Sequence, residues 1–295
     1  MKTITRGFLT IATGDEHYYR LAANLLLSYR LHCGTPFPFA ILADRENHFT
    51  DLFDKTVLLS SAHGSYRDKL EMLAHPPFDE NIFIDADCLA YGDLNFLWSQ
   101  FPHEGGFSAW GCISDSEGWF DMQKASVFYP VTHNINLHGG VYFFANDNKT
   151  NQLYHTAEYI CQHYTEFGFH CFATPADEPI LALAMAVHNF SPLPWPTGKF
   201  AFLPHCHVMH SNVLTGRLIL KNDEGGGIKS DCILLHFRTD NTRQHLYQAE
   251  AARLSKGNSP VTFLLGGLCT IYHLWMRRWD LLTWSLRRRI KQLFT

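Results

Sequence analysis

The chain has 295 residues, of which 46% are hydrophobic, 18% charged and 14% aromatic, and its formal net charge is −4. This composition excludes a disordered, collagen-like or coiled-coil protein, and it gives no reason to expect a nucleic-acid partner. The charge is uneven: residues 261–295 hold six basic residues and one acidic residue, whereas residues 1–260 hold 18 basic and 27 acidic residues. We therefore expect an acidic globular body followed by a short basic tail.

The body begins with elements that alternate between strands and helices. Apolar runs predict buried strands at 7–12 and 81–84 and further strands at 38–43 and 56–59, with helices over the residues from Thr13 onward and over 66–74. Later elements are a strand at 140–145, helices at about 150–166 and 177–188, and a strand at 232–237. This order favours an α/β fold with a mostly parallel central sheet, in which ligands bind beyond the carboxyl ends of the strands.

The first helix has two sequence signals of its own. Thr13 and Glu16 stand at the spacing of a capping box, which predicts that Thr13 caps the helix. An apolar stripe with a period near 3.6 residues predicts its buried face, which consists of Tyr18, Leu21, Ala22, Leu25 and Tyr29.

The strongest functional motif is Asp85-Ala86-Asp87, which directly follows the apolar strand Asn81–Ile84. Two carboxylates one residue apart point to the same side of an extended chain, and at the mouth of a strand they suit Mg²⁺ or Mn²⁺. The alternative is that the two aspartates only cap the strand or the next helix. His236 ends a late apolar run and would complete a mixed nitrogen and oxygen site that suits Mn²⁺, unless it is a hydrogen-bonded core histidine.

Three further groups are candidates for the site, and each has a structural alternative. The glycines of His138-Gly139-Gly140 indicate close approach of the backbone to a ligand, or a β-bulge. Asp177 and Glu178 open a helix and either complement its dipole or face a reacting sugar. Lys69 is either a solvated surface residue or a group that reaches a phosphate or an aspartate.

These residues, in this order along the chain, resemble the GT-A glycosyltransferases, and within them family 8, the glycogenin and bacterial galactosyltransferase type. The resemblance covers roughly residues 5–245 and implies a Rossmann-like GT-A domain at 1–255. It also implies a nucleotide-sugar donor that is usually UDP-linked, a divalent cation and retention at the anomeric carbon. A glycan or lipid-linked acceptor is expected for a transferase that the basic tail holds at a membrane.

The resemblance also implies a role for each residue. Ala12, Thr13 and Tyr18 would hold the base and ribose, Lys69 would lie near the phosphates, and Asp85, Asp87 and His236 would ligate the metal ion. His138, Gly139 and Gly140 would lie near the donor sugar, with Ala86 inside the aspartate motif and with Asp177 and Glu178 as the catalytic or orienting carboxylates. The rival functions are a metal-dependent nucleotidyltransferase and a non-catalytic relative that binds sugar nucleotides or glycans.

Two segments allow other readings. The segment 205–210 holds three histidines and one cysteine. These residues either bind zinc, belong to a loop of the acceptor site, or have only a structural role. In residues 261–295, Trp and Leu recur at helical spacing among the arginines, which predicts a basic helical tail. The tail either lies on an anionic membrane or docks on the body or on a second subunit.

The cysteines and the start of the chain bear on localisation. Eight scattered cysteines without a CxxC pair, after a start that lacks the features of a signal peptide, predict a cytoplasmic protein with reduced thiols. The basic tail would place it peripherally on the cytoplasmic face of a membrane.

Overall fold

A computed structural model describes residues 3–102, 104–114, 118–196, 198–222 and 227–256, with Leu268 and Ile271. Its strands are β1 (Arg6–Ala12), β2 (Phe39–Ala43), β3 (Lys55–Leu58), β4 (Glu80–Ile84), β5 (Cys88–Ala90), β6 (Phe107–Ser114), β7 (Asn134–Ala145), β8 (Phe200–Phe202), β9 (Cys206–Asn212), β10 (Arg217–Asn222), β11 (Ile228–Lys229) and β12 (Leu234–His236). Its α-helices are α1 (Glu16–His32), α2 (Glu71–Ala74), α3 (Met122–Ala125), α4 (Asn148–Gln162), α5 (Asp177–Val187), α6 (Thr239–Thr242) and α7 (His245–Lys256). A 3-10 helix at Tyr66–Leu70 leads into α2.

The described residues divide into two compact units. The first holds those within 1–26, 35–86 and 95–196, and the second holds those within 27–34, 87–94 and 197–295.

The first unit contains a six-stranded sheet in the order β3-β2-β1-β4-β7-β6. The strands β3, β2, β1 and β4 are parallel, as the alternation of strands and helices predicts. The last two strands are antiparallel, β7 to β4 and β6 to β7, so the sheet is mixed at this side. The predicted α/β fold with a mostly parallel core is confirmed.

The core of this unit explains why its strands and helices could be predicted from apolar runs in the sequence. Ile82, Phe83 and Ile84 of β4 are fully buried, as expected for a central strand that is covered on both faces. Every residue from Ile180 to Met185 is also fully buried, because α5 packs against both β7 and α4. This packing fixes the first turn of α5, where Asp177 and Glu178 lie.

The second unit contains two three-stranded sheets. One has the order β11-β10-β9 and is antiparallel throughout. In the other, β12 lies between β5, to which it is antiparallel, and β8, to which it is parallel.

The start of α1 differs from both predictions made for it. Asp15 caps the helix, because its Oδ1 accepts a hydrogen bond from the His17 backbone N–H at 2.7 Å. Thr13 instead donates its hydroxyl proton to Asp68. Of the predicted buried face, Leu21, Ala22, Leu25 and Tyr29 are buried, but Tyr18 is 37% exposed and its neighbour Tyr19 is fully buried instead.

The predicted tail helix lies outside the described residues, apart from Leu268 and Ile271. Among the residues that are described, no helix is both long enough and apolar enough to cross a membrane.

Candidate active site

Asp85 lies at the carboxyl end of β4 and is nearly buried. Its backbone N–H donates to the Gly140 carbonyl of the neighbouring strand β7 at 3.0 Å, which extends the β4–β7 ladder by one bond. The position of Asp85 is therefore set by the backbone of β7, where the predicted glycine pair lies.

Lys69 forms ion pairs with two of the predicted carboxylates. Its Nζ lies 2.7 Å from Oδ1 of Asp85 and 3.2 Å from Oδ2 of Asp177, and the side chain is 15% exposed. The 3-10 helix that carries it begins after Ser65, which forms a capping box with Asp68. The alternative of a solvated surface lysine is excluded, because a largely buried ammonium here joins the end of β4 to the start of α5.

Asp177 is held in place by a second donor. The hydroxyl of Tyr142 donates to Asp177 Oδ2 at 2.6 Å, and both residues are buried. Burial, followed by the nearby charges of Asp177 and Glu178, raises the pKa of Tyr142 well above its usual value, so the phenol keeps its proton and remains a donor.

Glu178 contacts the glycine pair directly. The Gly139 backbone N–H donates to Glu178 Oε1 at 2.6 Å. A Cβ atom added at Gly139 would lie 2.8 Å from Glu178 Cγ and 2.9 Å from the Tyr142 hydroxyl oxygen, so only glycine fits without movement. Burial and the charge of Asp177 raise the pKa of Glu178 to about 7, even though Gly139 and Lys69 act in the opposite direction.

The glycine pair also lies in an irregular part of the sheet. The register of β6 on β7 jumps from Ala109 opposite Tyr142 to Gly111 opposite Leu137, so residues 138–141 bulge out of regular pairing. The predicted β-bulge is therefore present, and Gly139 within it donates its N–H to the Glu178 carboxylate. The approach of this backbone to a ligand stays a prediction. His138 lies in the same bulge, where its Nδ1 accepts a hydrogen bond from the Gly140 N–H at 3.0 Å.

The residues predicted to hold the nucleotide base lie at the carboxyl end of β1. Ala12 and Thr13 are nearly buried, and Tyr18 is partly exposed. The Thr13 hydroxyl lies 2.7 Å from Asp68 Oδ2, and the carboxylate of Asp68 also accepts the backbone N–H groups of His63 and Gly64, each at 2.8 Å. Asp68 thus fixes two loops together at this edge of the sheet.

The second unit contains the other predicted metal ligands. Asp87 Oδ1 lies 3.0 Å from Nε2 of His236, and Thr239 donates its hydroxyl proton to Asp87 Oδ2 at 3.0 Å. Cys88, which pairs with His236 across β5 and β12, brings a thiol to the same place. One potential ligand atom from each of Asp87, Cys88 and His236 lies within 4.8 Å of the other two.

The histidine and cysteine run at 205–210 does not form a comparable cluster. Cys206 is buried with its thiol directed at the backbone carbonyls of Phe202 and Leu203, and the following residues continue as β9. Within the described part of the chain, Asp87, Cys88 and His236 are the only group of three such side chains close enough to share a metal ion.

Comparison with known proteins identifies the fold. No protein-family model matches the chain, and no curated protein sequence matches it. The solved structure of the galactosyltransferase LgtC, in complex with donor and acceptor sugar analogues, superposes with a TM-score of 0.50 at 12% identity, over 88% of this chain and 95% of LgtC. The apo structure of the bifunctional glycosyltransferase WbbM superposes with a TM-score of 0.51 at 11% identity.

The chain has the GT-A fold. The match to WbbM covers 89% of this chain and 51% of the WbbM chain, so the chain spans about half the length of that protein. The motifs predicted a GT-A fold, and this prediction is confirmed. The roles predicted for individual residues stay predictions.

Within this GT-A fold, sequence reasoning missed Tyr142, Asp68 and Cys88. Tyr142 had a detectable signal, since a tyrosine inside an apolar strand needs a partner for its hydroxyl. Asp68 precedes Lys69 and resembles an ordinary helix-cap residue, and Cys88 resembles an ordinary core cysteine. Only the register of β12 on β5, which long-range folding determines, places Cys88 opposite His236.

Proposed function

We propose that this protein is a glycosyltransferase that moves a sugar from a UDP-linked donor to a glycan or lipid-linked acceptor, with retention at the anomeric carbon. The observation that carries the proposal is the ion pairing of Lys69 with Asp85 and Asp177 at the carboxyl edge of the sheet of a GT-A fold. Ligands of α/β sheets bind at this edge, and an ammonium group there suits a diphosphate.

The residues of the second unit fit the divalent cation that the fold family implies. Asp87 supplies carboxylate oxygens and His236 an imidazole nitrogen, a donor set that suits Mn²⁺, while the Cys88 thiol adds some preference for softer metals. When bound, the cation would act as a Lewis acid on the departing diphosphate. Asp85 as a further ligand stays a prediction.

Lys69 has two roles in this proposal. Its ammonium pairs with the Asp85 carboxylate. If Asp85 is a metal ligand, as the sequence predicts, Lys69 and the cation would compete for this carboxylate. Lys69 would then keep its contact with Asp177 and could donate to a phosphate oxygen of the nucleotide. Lys69 would then neutralise charge that develops on the leaving group.

The two adjacent carboxylates are assigned different roles. Oδ2 of Asp177 accepts hydrogen bonds from both Tyr142 and Lys69, and the residue is 3% exposed, so we assign Asp177 to positioning Lys69. Glu178 is less buried than Asp177. Because its pKa is raised to about 7, Glu178 gains or loses its proton near neutral pH. Glu178 is therefore the carboxylate that faces the sugar, either as a nucleophile or as an orienting group.

A panel of UDP-, GDP- and ADP-linked sugars tests the proposal. Each is incubated with the full chain and Mn²⁺, and both donor hydrolysis and thermal stabilisation are measured. We expect one nucleotide class to stabilise the protein and to be hydrolysed slowly without an acceptor. If none of the donors does either, the proposal is wrong.

The basic tail supports a second part of the proposal, namely association with an anionic membrane that would present a lipid-linked acceptor. Six basic residues among 261–295 would each add roughly 1 kcal/mol of attraction near an anionic surface. Co-sedimentation with vesicles that contain phosphatidylserine should exceed that with neutral vesicles, and truncation after Pro260 should abolish the difference. Equal sedimentation of the full and truncated chains would contradict this part.

A further inference from the structure

Trp195 is an exposed aromatic side chain on a rigid segment of the first unit. Its side chain is 48% exposed. The segment is tied to β6, because the Leu193 N–H donates to the Ala109 carbonyl at 2.8 Å and the Gly111 N–H donates to the Leu193 carbonyl at 2.9 Å. The backbone beside the exposed ring is therefore fixed by the sheet.

Three prolines add to this rigidity. Pro192, Pro194 and Pro196 alternate with Leu193 and Trp195. Proline fixes its own φ angle and keeps the preceding residue extended, so both Leu193 and Trp195 have little backbone freedom. A ring presented in this way loses little conformational entropy when a ligand covers it.

The neighbour of Trp195 is His138 of the bulge in β7. The two ring centroids are 5.4 Å apart and the rings are inclined at 70°. Because Nδ1 of His138 accepts the Gly140 N–H, the neutral imidazole carries its proton on Nε2 and is a hydrogen-bond donor there. An aromatic ring and a polar donor thus lie side by side.

This pair adjoins the carboxylate that the proposed function assigns to the sugar. Gly139, the residue after His138, donates its N–H to Glu178. A pyranose ring has an apolar face of C–H groups and an edge of hydroxyl groups, so it needs both an aromatic surface and polar partners. Both kinds of contact are present within the first unit. The aromatic surface is Trp195, and the polar partners are His138 and Glu178.

We propose that Trp195 and His138 form the binding subsite for a neutral hexopyranose ring of the acceptor glycan. The subsite rests on the proposed function, because Glu178 is what links it to the reacting sugar. The tryptophan ring stacks on the C–H face of the sugar, and His138 binds a hydroxyl group at its edge.

Binding is measured first, without any donor. Maltose, cellobiose and lactose are the probes, and saturation-transfer NMR with the full chain is the readout. We expect at least one of them to bind to the wild type, Trp195→Ala to lose that binding, and Trp195→Tyr to keep most of it. The control is Tyr159→Ala, since Tyr159 is also exposed and stacks on a histidine, His163, at 4.3 Å, but lies on α4.

Kinetics then separate the acceptor from the donor. With a probe that serves as acceptor, Trp195→Ala should raise the acceptor KM by about tenfold, which equals ~1.4 kcal/mol, and leave the donor KM unchanged. A change confined to the donor KM, or no saccharide binding by the wild type, would overturn the subsite. If Trp195→Ala is unfolded by circular dichroism, Trp195→Leu decides, because leucine keeps an apolar side chain but has no ring for stacking. Trp195→Leu should lose saccharide binding, and a folded Trp195→Leu that binds as well as Trp195→Tyr would overturn the subsite.

The two proposals can fail separately. Saccharide binding that depends on Trp195, in a protein that hydrolyses no nucleotide sugar, supports the subsite and refutes the transferase. Donor hydrolysis together with saccharide binding that is unaffected by Trp195→Ala refutes the subsite and leaves the transferase intact.

Discussion

Gly139→Ala is the substitution that most directly perturbs the contact between the bulge of β7 and the carboxylate of Glu178. Gly139 is not among the glycines with positive φ, so its backbone accepts alanine without strain. The whole effect must therefore come from the new methyl group. That group would lie 2.8 Å from Glu178 Cγ and 2.9 Å from the Tyr142 hydroxyl oxygen, closer than van der Waals contact allows.

The expected cost follows from what has to move. Tyr142 is fully buried and held by Asp177, so Glu178 is the residue that moves, and it loses its 2.6 Å hydrogen bond from the Gly139 N–H. Hydrogen bonds to charged groups contribute about 1.5–3 kcal/mol, and overpacking costs about 1–3 kcal/mol, part of which side-chain motion relieves. We expect the free energy of unfolding to fall by about 2–4 kcal/mol.

Thermal unfolding and donor hydrolysis are the two assays, with Gly34→Ala as the matched control. Gly34 also lacks positive φ, and a Cβ there would meet no atom within 4 Å. Gly139→Ala should unfold at a lower temperature and hydrolyse donor at least about tenfold more slowly, since a displaced catalytic group raises the barrier by ~1.4 kcal/mol or more. If Gly139→Ala behaves like Gly34→Ala in both assays, the assigned contact with Glu178 has no functional role.

Three further predictions concern charge and metal. Because the pKa of Glu178 is raised from 4.5 to about 7, the folded protein binds this proton more tightly than the unfolded chain, so stability should fall by up to about 3 kcal/mol as pH rises from 4.5 to 7. Urea titrations across this range should show that fall flattened in Glu178→Gln, and an unchanged slope would contradict the assignment. Lys69→Met leaves Asp85 and Asp177 without their ammonium, so it should lower the melting temperature without metal but increase the stabilisation by Mn²⁺; a smaller Mn²⁺ shift than in the wild type would refute the competition for Asp85. Cys88→Ser should weaken Zn²⁺ binding more than Mn²⁺ binding in calorimetric titrations, because only the softer metal favours sulfur, and equal effects on both metals would exclude the thiol as a ligand.

Local patterns predicted the parallel part of the sheet because β1, β2 and β4 are short apolar runs that are largely buried, whereas β3 at the edge of the sheet is partly exposed. The strand Asn81–Ile84 and the aspartates after it could be recognised from the sequence for this reason, and so could the carboxyl edge at which they lie. The antiparallel strands β6 and β7 were harder to predict, since the bulge at 138–141 depends on how two distant segments pair.

The contacts within the site depend on tertiary structure in the same way. Thr13 has the sequence spacing of a helix cap, but Asp68, 55 residues away, takes its hydroxyl group, and Asp15 caps the helix in its place. The pairing of Lys69 with Asp177 spans 108 residues. The residue types in the sequence indicated the chemistry, but the tertiary packing of distant elements determined which side chains share a hydrogen bond.

The central claim is a transferase that depends on a divalent cation, and the donor hydrolysis of Asp87→Ala tests it most directly. The full chain and the variant are compared with and without Mn²⁺, using the nucleotide sugar that the panel selects. The account predicts that Mn²⁺ stimulates hydrolysis by the wild type, and that Asp87→Ala loses both this stimulation and metal-dependent nucleotide binding. A variant that is folded and retains normal Mn²⁺-stimulated hydrolysis would contradict the account.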